Sequence, residues 1–344
     1  MKSDLHLAVE RDPDFFALYD IQDVDCVPWV LEADGRVEGC ATVLARDGFV
    51  DGKRQRVGYA GDLRFTDAVR GRGLLTNVYG PALAEAMETL GCDLVYTALI
   101  TTNKAAIRAL TERQDHDDSV PVYTRFASYR ITNIQYTTRK RLRPTALTVR
   151  TATDADLPMI AARLSQDHAG RAFGYVVTED LLRQRFARWP DFGIESFYLA
   201  LDGDRLVGVC APWDAHALKR YRVLGYHGAM RWIRAGFNIG ATLGGFERLP
   251  PAGGLLRYFY LTHVSADDAA AMSALVDRIY ADFYGRGYHF FCACVVDDDP
   301  LGPAYTRFRT TDLPAALYTV SLPGVPVPIE ALRSATPGFE MALV

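Results

Sequence analysis

The residues whose types and spacing could do chemistry lie in Asp62-Leu-Arg-Phe-Thr-Asp-Ala-Val-Arg70-Gly71-Arg72-Gly73-Leu74-Leu75-Thr76. An apolar strand runs into a turn rich in glycine and arginine. A helix follows at once, with Leu75, Val78, Leu83, Ala86 and Leu90 at its apolar positions. Such a turn aims several unpaired backbone N–H groups at one spot, and the helix dipole adds partial positive charge there. Glycine lets a diphosphate come close to the backbone, and Arg70 and Arg72 add charge at the rim. The spacing is not Gly-x-x-x-x-Gly-Lys-Ser/Thr. It is not Gly-x-Gly-x-x-Gly either, because Gly71-x-Gly73 is followed by Thr76. An arginine-rich turn without a ligand is the alternative reading.

The elements that must position this turn recur along the chain. Thr97-Ala-Leu-Ile-Thr-Thr-Asn-Lys and Ala293-Cys-Val-Val-Asp-Asp-Asp-Pro each begin as a strand and open into a polar turn, and the Gly-led strands before them start at Gly91 and Gly287, an offset of 196. Without a gap, the same offset places Arg113 on Arg309, Leu74 to Met87 on Ala270 to Phe283, and Gly61-Asp-Leu-Arg-Phe-Thr on Arg257-Tyr-Phe-Tyr-Leu-Thr. An Asp-Gly hairpin also recurs, with Gly39 and Gly208 169 residues apart, so the second copy has 27 extra residues between hairpin and central strand. That copy opens with a strand over Leu147 to Thr151, then a helix capped by Asp154 that runs to about Gln166, with Leu157, Ile160, Ala161 and Leu164 at helical spacing. The first copy opens with a strand over Leu5 to Val9 and a short helix over Pro13 to Tyr19.

On these residues the first half resembles the GNAT (Gcn5-related N-acetyltransferase) superfamily. Its members carry Arg/Gln-x-x-Gly-x-Gly/Ala between the fourth strand and the next helix. Arg70-x-x-Gly73-x-Leu75 matches the first two positions, and Leu75 replaces the small third residue. Asn103-Lys-Ala-Ala106 matches the family's asparagine after the fifth strand, with alanine three residues on. Leu110 stands where many members place a tyrosine that protonates the leaving thiolate. The resemblance implies an α/β (α+β) chain of two tandem GNAT-like domains, each a mixed, mostly antiparallel sheet flanked by helices. It implies an acyl-CoA site built from Leu63, Arg64, Phe65, Arg70, Gly71, Arg72, Gly73, Leu74, Leu75, Asn103 and Ala106, with Leu63 to Phe65 facing Tyr96 to Leu99 across splayed strands. The co-substrate it implies is acetyl-CoA or another acyl-CoA, with no metal, and the reaction is direct attack by an acceptor, most often an amine, in a ternary complex. Asp62 is the candidate base, with a strand-end carboxylate paired to Arg64 as the other reading, and Tyr123 is a candidate acid.

The domains expected are residues 1–136 with the acyl-CoA site, a basic linker 137–146, a degenerate copy 147–323 and a C-terminal tail 324–344. The degeneracy rests on Asp267 and Asp268, which stand where a diphosphate would sit and whose charge repels it; acids there are good helix caps. The extra residues fall within 211–254, rich in aromatic and basic side chains, with an apolar helix from about Gly228 to Leu243. A lid, a wall for an acyl chain or bulky acceptor, and a helix packed at the domain interface are the readings of this insertion.

Composition bounds the rest. With 49% hydrophobic and 23% charged residues, a net charge of −4 and no apolar run long enough for a membrane span, the chain reads as a soluble, cytoplasmic protein with no nucleic-acid signature. The basic run Arg139-Lys140-Arg141-Leu142-Arg143 reads as a solvated linker. Six cysteines without Cys-x-x-Cys spacing fit a reduced compartment. Asp115-His116-Asp117-Asp118 and Asp297-Asp298-Asp299 read as solvated turns, and His263 as a structural histidine or a cleft residue. A small-molecule amine is the expected partner, with an acyl carrier protein as donor, or a non-catalytic CoA-binding scaffold, as the alternatives. The loop reading is directly testable: calorimetry should show acyl-CoA binding that Gly73→Trp abolishes, and undiminished binding in that variant would reject the site.

Overall fold

A computed structural model of the protein describes residues 4–22, 24–69, 73–111 and 121–344. Arg70, Gly71 and Arg72 of the turn, with Arg113 and Asp115 to Asp118, lie outside them. The first half runs β1 (Leu5–Glu10), α1 (Ala17–Asp20), β2 (Asp25–Ala33), β3 (Arg36–Val50), β4 (Lys53–Phe65), α2 (Gly80–Leu90), β5 (Val95–Ile100), α3 (Lys104–Thr111) and β6 (Val122–Gln135). The second half runs β7 (Thr148–Thr151), α4 (Leu157–Ala169), β8 (Gly174–Tyr175), α5 (Glu179–Arg188), β9 (Tyr198–Asp202) and β10 (Arg205–Trp213). It continues with β11 (Arg220–Tyr226), α6 (Met230–Gly244), β12 (Leu255–Leu256), β13 (Tyr258–Ala266), α7 (Ala269–Phe283), β14 (Phe290–Val296), β15 (Thr310–Ser321) and α8 (Ile329–Ser334). Tight turns make the β2–β3–β4 meander: Asp34-Gly35 and Asp51-Gly52 each hold positive φ at both residues, the turn geometry whose twist suits adjoining strands.

The fold is mixed α/β, mostly antiparallel, and the two copies share one sheet in the order β2-β3-β4-β5-β15-β6-β14-β13-β10-β9-β7. That order mirrors itself about the β15–β6 pair, except that β7 at the far edge has no counterpart. Each copy contributes a hairpin, a fourth and a fifth strand, and then gives its last strand to the other copy. β15 pairs antiparallel with β5, from Ala315 opposite Ile100 to Val320 opposite Val95. β6 pairs antiparallel with β14, from Phe290 opposite Gln135 to Val296 opposite Tyr129. The two exchanged strands lie side by side at the centre, so each buries the other's edge. One outer core, with Leu83, Ala86, Met87 and Leu90, lies under α2; its counterpart, with Met272, Leu275, Val276 and Ile279, lies under α7. A third core joins the copies on one face, through Tyr96, Phe126, Phe173, Trp189 and Trp213.

Several sequence expectations change here. β1 does not join the sheet of the first copy. It pairs antiparallel with β11 of the insertion, Leu5 opposite Tyr226 and Glu10 opposite Arg220, and Glu10 accepts from Arg220 at 3.1 Å. The first-copy helix shortens to α1. The second-copy helix is entered through a single turn over Asp154–Asp156, and its cap is Thr153 rather than Asp154: the Thr153 N–H and hydroxyl donate to Asp156, whose carboxylate also takes two bonds from Arg150 at 2.7 Å. Leu157, Ile160, Ala161 and Leu164 are all buried. The basic linker is partly tied down, because Arg143 Nε donates to the buried Asp277 at 2.7 Å.

The end of the expected C-terminal tail is core. Phe339 packs on Tyr59, Tyr96 and Tyr129, and Met341, Ala342 and Leu343 are buried. The backbone enters at Gly338, where a Cβ would stand 2.5 Å from the Cα of Gly174, so only glycine lets the two segments touch. Strand exchange sets an expectation for the halves. Residues 1–146 expressed alone should lack a neighbour for β5 and give aggregated or non-cooperatively melting material by circular dichroism, whereas co-expression with residues 147–344 should yield a soluble complex that co-elutes on gel filtration.

Candidate active site

β4 and β5 run parallel and pair only at Gly58–Val95 and Tyr59–Tyr96. Beyond that they diverge: β4 stays with β3 to Phe65 opposite Gly39, and β5 stays with β15 to Ile100. The fork leaves Leu63, Arg64 and Phe65 on one prong and Thr97 to Leu99, beyond the paired Tyr96, on the other, with the facing backbone edges unpaired to each other. The helix that follows β4 begins at Gly73. Its φ of +70° is strained for any other L-residue, and a Cβ there would lie 3.1 Å from Asn77 Nδ2. Asn77 N–H donates to Gly73 O at 2.9 Å, and the first turns, over Leu75–Tyr79, are wound as a π-helix before α2 takes over. Asn103 caps α3: its Oδ1 accepts from Ala106 N–H at 3.2 Å. The Asn-to-Ala spacing read in the sequence is therefore that of a helix cap and its third residue. Two helix N-termini thus follow the two prongs, which is what a bound anion needs.

Asp62 sits at a β-bulge near the start of the prong. Its φ of 53° is left-handed, a conformation that Asp tolerates better than most residues, and the β3–β4 register shifts beside it. Its carboxylate is buried. Arg11 Nη1 donates to Oδ2 at 2.9 Å, Arg64 Nη2 donates to Oδ1 at 3.1 Å, and the Tyr19 hydroxyl donates to Oδ2. The pairing with Arg64 proposed from the sequence is present, and Arg11 is the closer partner. Burial, together with the Asp62 charge, pushes Tyr19 up to about 12, so it keeps its proton. Tyr123 lies under α2, away from the bulge, and donates to the Tyr79 hydroxyl at 2.9 Å. Burial raises both phenols, Tyr79 to about 12.

Residues 3–114 match the profile of the Acetyltransferase (GNAT) family. These residues form a GNAT domain. Solved structures extend the fold across both copies. The GCN5-related N-acetyltransferase of Sphaerobacter thermophilus aligns at 16% identity and TM-score 0.55, covering 90% of this chain and 86% of its own. Saccharomyces cerevisiae N-myristoyltransferase with bound myristoyl-CoA aligns at 10% identity and TM-score 0.59, covering 97% of this chain and 77% of its own. Against a GCN5-related N-acetyltransferase from Anabaena variabilis, at 11% identity and TM-score 0.45, the chain spans 61% of the partner's length and 84% of its own. No curated protein matches the chain.

The second GNAT-like copy has the same fork with a different turn after it. β13 and β14 pair at Tyr258–Phe290, Phe259–Phe291 and Tyr260–Cys292 and then diverge. The fourth strands correspond at an offset of 201, not 196: Gly39 opposes Phe65 as Gly208 opposes Ala266, and Thr42 opposes Gly61 as Ala211 opposes Thr262. The offset of 196 holds on the fifth strand, where Tyr59–Tyr96 matches Tyr260–Cys292. The five-residue difference is a shorter turn, only Asp267 and Asp268 between β13 and α7, and the surplus before β13 becomes 32 residues. Both acids are compensated. Asp267 pairs with Arg163 and, at 2.7 Å, with Arg205; Asp268 Oδ1 caps α7 by accepting from Ala271 N–H at 2.8 Å.

His263 is the counterpart of Asp62, on the matching bulge with φ of 52°. It is fully enclosed by Trp189, Phe192 and Phe197. Arg185 donates to its Nε2 at 2.5 Å, which assigns the ring proton to Nδ1, facing Thr262 Oγ1 at 2.8 Å; its N–H donates to Glu340 at 3.1 Å. Burial, then the charge of Arg185, holds it well below the usual histidine value. It is a structural histidine. Asp297 to Asp299 form a turn in which Asp299 Oδ1 accepts from Leu301 N–H at 2.8 Å. Among the described residues, no three His, Cys, Asp or Glu side chains gather as a metal site, and no helix is long and apolar enough to cross a membrane.

Three groups near Asp62 escaped the sequence. Arg11 and Tyr19 come from the segment before the first hairpin, 51 and 43 residues away, and no local motif marks them. Lys219, one of the insertion's basic residues, is buried over the Tyr260 ring and donates to Ala342 O at 3.4 Å; burial and the charge of Arg11 pull it down to about 7. The buried histidines set a pH dependence. His168 and His263 have folded values below the unfolded value near ~6.5. Below that pH the unfolded chain therefore binds protons that the folded chain does not. Stability should fall with decreasing pH by about 1.4 kcal/mol per unit for each histidine, and His263→Gln should give a measurably shallower fall in urea midpoints between neutral and mildly acid pH.

Proposed function

We propose that the protein is an acyl-CoA-dependent acyltransferase acting on an amine, with acetyl-CoA the first donor to test. The observation that carries this reading is the β4–β5 fork whose prongs lead into the Gly73 and Asn103 helix starts. In this reading the backbone N–H groups at the first helix start take the diphosphate, and Arg70, Gly71, Arg72, Leu74 and Leu75 are assigned to the same site from the sequence. The unpaired edge of Leu63 to Phe65 offers groups to the acyl carbonyl. The amine nitrogen attacks the thioester carbon in a ternary complex, the carbon–sulfur bond breaks, and the thiolate takes a proton. Asp62 accepts the amine's proton directly or through water; Arg11 and Tyr19 hold it at the bulge for this. Tyr123 donates to Tyr79, which leaves the Tyr79 hydroxyl proton available to the thiolate and makes the pair the proposed acid.

Asp62→Asn is the clean test, because asparagine also tolerates the left-handed backbone. It should lower kcat by about 100-fold in a CoA-release assay with a panel of amines, while acyl-CoA affinity by calorimetry stays within about twofold. An unchanged kcat would remove Asp62 from the chemistry. Acyl-CoA binding with no release for any amine would point instead to a CoA-binding scaffold.

A further inference from the structure

The insertion helix α6 has its polarity reversed. Arg234 and Asn238 face the protein: Arg234 Nε donates to Pro250 O at 3.0 Å, Asn238 Nδ2 donates to Leu249 O at 3.1 Å, and Asn238 Oδ1 accepts from Leu249 N–H at 2.8 Å. Ala241 is buried on the same face, and Phe237 meets Phe246 edge-on at 5.2 Å. The opposite face carries Trp232 and, one, two and three helical turns on, Gly236, Ile239 and Leu243, with Ile233 beside them. Trp232 is 81% exposed, Ile239 65% and Leu243 85%. An amphipathic helix of a soluble domain turns this face inward, and here none of the described residues covers it.

The helix itself carries charge of one sign, and Glu247 beyond it stands next to Arg248. No acidic residue lies between Met230 and Phe246, and Arg231 is exposed at the first turn. At the other end, Tyr284 hydroxyl donates to Gly244 O at 2.7 Å and hydrogen-bonds the Arg139 backbone, which sets the run Arg139-Lys140-Arg141 beside the helix C-terminus. The face is also flat, since Ala235 and Gly236 separate the large side chains. A tryptophan at one end, aliphatic side chains along the face and basic residues at both ends are the features of a helix that lies in a headgroup layer. A helix of 15 residues is too short to span.

We propose that α6 is an interfacial helix that lays Trp232, Ile239 and Leu243 into an anionic lipid surface, with Arg231 and Arg139 to Arg141 against the headgroups. This does not depend on the acyl-transfer reading. The test is co-sedimentation of the full chain with vesicles of phosphatidylcholine alone or mixed with phosphatidylglycerol, alongside tryptophan emission. Trp232 is far more exposed than Trp189 and Trp213, so insertion should shift emission to the blue. Binding should require the anionic lipid. Trp232→Ser with Leu243→Ser should lower partitioning at least about tenfold, with an unchanged melting curve because both side chains are exposed. Arg139→Glu with Arg141→Glu should also weaken it. Equal binding by the serine double variant, or no binding to either vesicle, overturns the proposal. So does a parent that light scattering finds dimeric and the double variant monomeric, which would assign the face to a second copy.

Discussion

The structure depends on the pairing of β6 with β15 at the middle of the sheet. Each of these strands lies among strands of the other copy, and each covers an edge that would otherwise be open. Without β15, β5 has no neighbour on its outer side, and β5 is one prong of the fork. The candidate site in the first copy therefore owes its geometry to a strand encoded in the second. The chain segment around Phe339 reinforces the joint, because its ring touches Tyr59 and Tyr96 where the prongs separate, while Glu340 takes a hydrogen bond from His263 at the other fork.

The two copies carry the same backbone with opposite chemistry at two places. The fourth strand of each copy carries a bulge with a left-handed residue. In the first copy that residue is Asp62, held by two guanidinium groups and a phenol. In the second it is His263, stripped of solvent and stacked among aromatic rings. The turn after the strand diverges likewise. The long glycine- and arginine-bearing turn has become two acids that cap α7 and neutralise neighbouring arginines. The difference between the copies is thus a local one of turn length and charge, and the surrounding sheet keeps its form.

Much of this was legible in residue pattern. Asp-Gly turns placed the hairpins, helical spacing placed α4 and α6, and the order of elements exposed the duplication. The identity of strand neighbours was not legible, because alternation along a strand records which face is buried and not which strand lies beside it. That is why Leu5 to Val9 read only as the opening strand of the first copy, and why the exchange of β6 and β15 left no trace. The gap-free offset of 196 carried the fifth strand correctly and slipped on the fourth, since a turn that loses residues leaves no mark when identity is low. The partners of Asp62 are distant in sequence, so only tertiary packing could name them. The segment from Phe339 to Leu343 is a short apolar run without a period, indistinguishable from a loose end until the cleft that receives it is known.

Strand exchange also dictates an order of events during synthesis. When β6 leaves the ribosome, the first copy has made every strand of its own except the neighbour of β5. That neighbour ends at Ser321, 186 residues after Gln135, or roughly 10–40 s of further translation. Through that interval β5 and β6 are open edges on a nascent chain, the kind of surface that chaperones recognise and that mispairs with other chains. The fork can close only when the second copy is nearly complete, so partial translation products do not carry the first copy's site in finished form.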